Sequence, residues 1–139
     1  MPDANNPKPN LDLIHMVQRA RMLHDAEAIP SQVSAVYWIE SKPHTPDVSP
    51  PTARAGQWVI PTTAAEADSL WAKVRAATES GQLGYKSKIS TAPGPGQAQV
   101  NARLIYVRIG DSANAADVER VRAALVALGI TPAHYMQDH

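Results

Sequence analysis

The chain has 139 residues, enough for one domain with a genuine core but short for two. Thirteen basic and thirteen acidic residues cancel, so the footprint of general DNA binding is missing and any charged ligand must be met locally. The absence of cysteine excludes disulfides, thiol catalysis and the common structural zinc sites together.

The first ten residues, MPDANNPKPN, are polar and proline-rich and read as a flexible leader ahead of a single domain over residues 11–139. They lack a secretory pattern, and no later run is apolar for long enough to span a bilayer, so the expectation is a cytoplasmic protein without membrane contact. From Leu11 the apolar residues Leu13, Ile14, Met16, Val17, Ala20 and Leu23 recur at helical spacing, which predicts an amphipathic helix ending before Pro30. Val33 to Glu40 is β-branched and aromatic and predicts a strand. The proline-rich stretch from Ser41 to Gly56 predicts a loop, followed by a short strand that Pro61 stops.

Thr63 and Glu66 have the spacing of a capping box. The helix beyond it carries the stripe Ala67, Leu70, Trp71, Val74 and Ala77, with Gly81 past its end. GYKSKIST (84–91) and ARLIYVRI (102–109) predict two strands joined by the loop APGPGQAQ. Ser112 or Asn114 caps a last helix whose buried face is Val118, Val121, Ala124, Leu125 and Leu128. PAHYMQD supplies a final strand. Paired strands interrupted by helices predict an α+β domain, a curved antiparallel or mixed sheet with helices on one face.

Chemistry concentrates in the middle of the chain. Between Glu79 and Asp111 there is no carboxylate, whereas Lys86, Lys88, Arg103 and Arg108 all fall there. Strand alternation puts Lys86, Lys88 and Ser90 on one face and Tyr85, Ser87, Ile89 and Thr91 on the other. If the two strands pair, lysine and arginine can meet one anion, although alternating charge on a wet sheet face accounts equally well for the lysines. Three tryptophans stand among seven aromatic residues. Helical spacing assigns Trp71 to the core, and one of Tyr37 and Trp38 faces outward. Trp58 is the stacking candidate for a base. No spacing suits a metal site, and no Walker loop, dinucleotide fingerprint or nucleophile elbow occurs, so no cofactor is expected.

VYWIE, GQWVIP, ADSLWAKVRAATESGQLG, KSKIST and ARLIYVRIGDSANAADVERVRAALVALGI, in this order, resemble the family named after the basophilic leukaemia-expressed protein, over about residues 33–138. The resemblance implies a fold like that of the cap-binding translation initiation factor 4E, and bacterial members of the family carry a phosphothreonine lyase label. A phosphorylated partner is implied either way: a small molecule, a nucleotide or a phosphopeptide. The leading expectation is a binder that senses or sequesters such a ligand through Lys86, Lys88, Arg103, Arg108 and Trp58. The alternative is a lyase with Lys88 as catalytic base. The strand on which the lyases carry an acidic histidine reads Gly56-Gln57-Trp58-Val59-Ile60 here, leaving only His134 or His44 as substitutes. A third reading is a protein-interaction module, or a homodimer, built on the first helix.

Overall fold

A computed structural model describes residues 11–45 and 48–138, so the leader expected over residues 1–10 lies outside the described residues. The elements are α1 (Leu11–Glu27), a short 3-10 turn (Pro30–Gln32), β1 (Trp38–Ser41), β2 (Gly56–Thr63), α2 (Ala64–Glu79), β3 (Lys86–Ser90), β4 (Ala102–Ile109), α3 (Ala115–Ala127) and β5 (His134–Gln137). The five strands form one sheet in the order β1-β3-β4-β2-β5, and every neighbouring pair is antiparallel. The domain is therefore α+β.

Two crossovers generate this order. β2-α2-β3 leaves a gap that β4 fills, and β4-α3-β5 passes over β2. Residues 56–137 thus trace a split β-α-β, ferredoxin-like arrangement, with β1 added at one edge.

One face of the sheet packs against the helices. Ile39, Ile60, Ile89, Ile105, Val107 and Ile109 pack there with Ala67, Trp71 and Val74 of α2 and Val121 and Leu125 of α3. Alternation in β4 explains it, because Ile105, Val107 and Ile109 share that face while Tyr106 and Arg108 point to the other. The buried Ser87 hydroxyl meets Thr78 of α2 at 2.7 Å, which satisfies a polar pair inside the packed layer.

Local chemistry moves several expected boundaries. β1 starts at Trp38 instead of Val33, because β3 ends opposite it at Ser90. Val36 and Tyr37 are held instead by the Thr91 hydroxyl and amide. β2 runs through Pro61, which the sequence reading makes its stop. There β5 no longer pairs with β2, so a missing N–H breaks no ladder on that side. Thr63 stands at the N-cap of α2, but its hydroxyl makes no capping bond. Asn114, and not Ser112, caps α3 by accepting from the Asp117 amide.

α1 lies along the edge of β1. Arg21 donates to the Trp38 carbonyl at 3.2 Å, and the buried Asp25 carboxylate accepts from the Glu40 amide at 3.2 Å. Leu13, Met16, Val17 and Leu23 remain exposed.

Candidate functional site

The face of the sheet away from α2 and α3 carries the charged residues of the strands other than Arg103. Register places Glu40, Lys88, Tyr106, Val59 and His134 in one row across all five strands. The next row contains Lys86, Arg108, Gln57 and Met136. Lys86, Lys88 and Arg108 therefore share one face on two adjacent central strands. That proximity follows from pairing, which brings residues about twenty positions apart within one strand spacing, about 4.8 Å.

Each cation has a different environment. Lys86 lies 3.7 Å from the Glu40 carboxylate. Arg108 is held from several sides: Asp138 accepts at 2.8 and 2.5 Å, Gln57 Oε1 at 3.0 Å and the Tyr85 hydroxyl at 3.0 Å. Lys88 instead rests over the Trp38 ring, 4.4 Å from its centroid, with Tyr106 at 5.6 Å. Among the described residues Lys88 forms no ion pair. Among the described residues, Lys86 and Arg108 are paired with Glu40 and Asp138.

Burial first, and the Arg108 charge next, hold the Lys88 ammonium below the ordinary lysine range, with Glu40 opposing them. The hydrogen-bonded Asp138 drives Arg108 the other way, upward. Between these two cations, Lys88 is thus the one whose proton is more easily removed. Trp38 and Tyr106 are tilted against each other with centroids 5.1 Å apart, and Tyr37 meets Trp38 edge-on at 4.8 Å. These rings, with Trp38 and Tyr106 half-buried and Tyr37 exposed, form an aromatic strip beside the cations.

The other expected site residues lie elsewhere. Trp58 is on the helix side of β2: its indole N–H donates to the Val118 carbonyl at 3.0 Å and its ring packs edge-on against Tyr135. It cannot stack a ligand on the lysine face; Trp38 occupies that position. Arg103 pairs in register with Thr62 on the helix-side alternation, and its guanidinium donates to the Val100 and Ala102 carbonyls. Alternation therefore separates it from Lys88. Tyr85, one residue before β3, departs from the face expected of it and reaches Arg108.

Neither substitute histidine is in contact with Lys88 among the described hydrogen bonds and ion pairs. His134 shares its row but stands three strands away, roughly 14 Å at ordinary strand spacing. His44 lines a cavity of about 590 Å³ between α1 and the loop after β1, with Arg21, Asp25, Glu40, Lys42 and Glu79. A second cavity, about 430 Å³, lies near Gly84, Asp111 and Arg120. Neither cavity is lined by Lys88. Among the described residues no group of three or more His, Asp or Glu side chains is placed to hold a metal ion. No helix among them is long and apolar enough to cross a membrane.

Sequence reasoning misses Trp38, Tyr106, Glu40 and Asp138 as neighbours of the lysines. Their link is register between distant segments, which alternation within a single strand does not carry.

Comparison with known proteins places the chain in a family. The family described as basophilic leukemia-expressed protein Bles03 matches residues 50–137, and the chain belongs to it. No curated protein matches the chain.

Proposed function

We propose that this member of the Bles03 family binds a phosphorylated small molecule or nucleotide on the open face of its sheet and holds it without chemical change. The observation carrying this reading is the Lys88 ammonium, seated on Trp38 with no carboxylate partner among the described residues. An aromatic seat attracts a cation without neutralising it, so the charge remains available to an incoming anion. Lys86 and Arg108 on the same face reinforce the field, and Trp38 with Tyr106 gives a base a surface to contact.

A lyase reading draws support from the same lysine, because a depressed ammonium is the property a general base needs. Phosphate elimination also needs a proton for the departing group. The histidine that register places in the Lys88 row, His134, stands three strands away. Binding without elimination is therefore the better-supported reading.

The test is native mass spectrometry of the protein with a nucleotide panel and a phosphothreonine peptide. Retention of an unchanged ligand, lost in Lys88→Ala and reduced in Trp38→Ala, is the expected result. A peptide lighter by one phosphoric acid would establish the lyase instead. Failure of every phosphorylated probe to associate would sink both readings and return attention to the exposed α1 residues.

A further inference from the structure

The open face already holds one anion of its own. Asp138, just past β5, makes a two-toothed contact with Arg108, at 2.8 and 2.5 Å, while its backbone N–H donates to the Ala55 carbonyl at 2.8 Å. The same carboxylate acts electrostatically on Lys88, so it belongs to the field around the lysines. Among the described residues β5 is an edge strand of four residues that pairs with β2 and is mostly exposed. Tyr135 fixes its middle through Ser112, at 2.6 Å, and through the Trp58 ring. Asp138 fixes its end.

Building on the phosphate-binding reading, we infer that Asp138 is a resident competitor for Arg108, and that the ligand is a terminal phosphate monoester which displaces it and frees the end of β5. The chemistry of the exchange sets the ligand class. A carboxylate with one negative charge already matches the guanidinium in a planar pair. A phosphodiester, also singly charged, offers Arg108 nothing more. A monoester carries nearly two charges at neutral pH and three terminal oxygens, enough to engage Arg108 while reaching Lys88 or Lys86. Linkage then runs both ways: whatever loosens Asp138 favours the ligand, and the ligand loosens Asp138.

Asp138 is therefore a specificity-determining residue, and the strand end is its readout. The full chain is titrated with a nucleoside 5′-monophosphate and with its 3′,5′-cyclic counterpart, a diester, following tryptophan emission and amide exchange at Asp138. The monoester is expected to bind about tenfold more tightly, the effect of one further charge-assisted bond. Exchange at the Asp138 amide should accelerate in its complex. In Asp138→Asn that amide exchanges rapidly without ligand, and both nucleotides bind more tightly. Equal affinities, or an unchanged Asp138 amide in a saturated monoester complex, would overturn the displacement and leave the phosphate-binding reading standing. Weaker binding by Asp138→Asn would also overturn it, by making Asp138 a support of the ligand. Binding of neither nucleotide would remove the inference together with the reading beneath it.

Discussion

Lys88 and Trp38 stand on neighbouring strands with the ammonium 4.4 Å from the indole centroid. The ring takes the place that a carboxylate commonly occupies beside a half-buried lysine. A carboxylate would have cancelled the charge; the ring orients the side chain and leaves the charge in place. Glu40 is the nearest alternative, directly across from Lys88 in register, yet its ion pair is with Lys86.

If this lysine supplies the main contact to phosphate, Lys88→Ala should weaken nucleotide binding by roughly ten- to a hundredfold, the range for a hydrogen bond to a charged group. Arg103→Ala should leave affinity within about twofold, because alternation puts Arg103 on the opposite side of the sheet. Isothermal titration of the two variants decides the matter. Equal losses would mean that the two faces communicate in a way the register does not explain.

Binding should also depend on pH through Lys88. Its ammonium loses the proton below the ordinary lysine range, chiefly through burial and then through Arg108. Affinity should therefore fall as pH rises, before an unperturbed lysine would titrate near about 10.4. Lys88→Arg, which stays charged, should flatten that fall. A titration from about pH 8 to 11 that gave identical profiles for the wild type and Lys88→Arg would remove Lys88 from the contact.

A separate pH effect concerns stability. Arg54 grips Asp111 at 2.9 and 2.7 Å, and this hydrogen bonding, followed by the Ala113 amide, lowers the Asp111 carboxyl to about 2. The folded value lies below the unfolded one, near about 3.9, so the stabilisation is fully present above the unfolded value. It is lost as pH falls through the folded one. Urea unfolding should show Asp111→Asn less stable than wild type at neutral pH and closer to it near pH 2. A constant difference across that window would contradict the assignment.

Core and cap substitutions should separate cleanly in urea. Trp71 is 1% exposed at the centre of the packed layer, and Trp71→Ala should cost about 3–5 kcal/mol. Asn114→Ala removes only the bond to the Asp117 amide and should cost about 1 kcal/mol. A Trp71→Ala cost comparable to that of the cap would mean that the surrounding helices collapse into the space.

Much of the architecture is readable from local pattern. Ala102–Ile109 carries β-branched residues at alternate positions from Ile105 to Ile109, and its bounds in the sheet match those expected from the sequence. Alternation likewise assigns Lys86 and Lys88 to one face and Ser87 and Ile89 to the other, since a period of two needs no knowledge of the partner strand. Strand order is different, because the β2-α2-β3 crossover skips a position that only β4 can fill. That order decides which residues meet. Trp58 illustrates the limit: β2 reads as too short to assign a face until the full strand through Thr63 pairs with β4 and sends its indole toward Val118. Arg103 and Arg108 lie five positions apart on one strand, so alternation alone allows only one of them to join the lysines.

The two edges of the sheet end in different ways. At β1, one helical turn of α1 presents a guanidinium to the Trp38 carbonyl and a carboxylate to the Glu40 amide. Two side chains thereby imitate the donor and acceptor of a neighbouring peptide backbone, and a foreign strand finds those groups engaged. β5 has no comparable imitation among the described contacts and carries no Lys, Arg, Asp or Glu within its four residues. Among the described residues, strand addition to the sheet therefore has a polarity: it is checked beside Trp38 and meets no such check beside Tyr135.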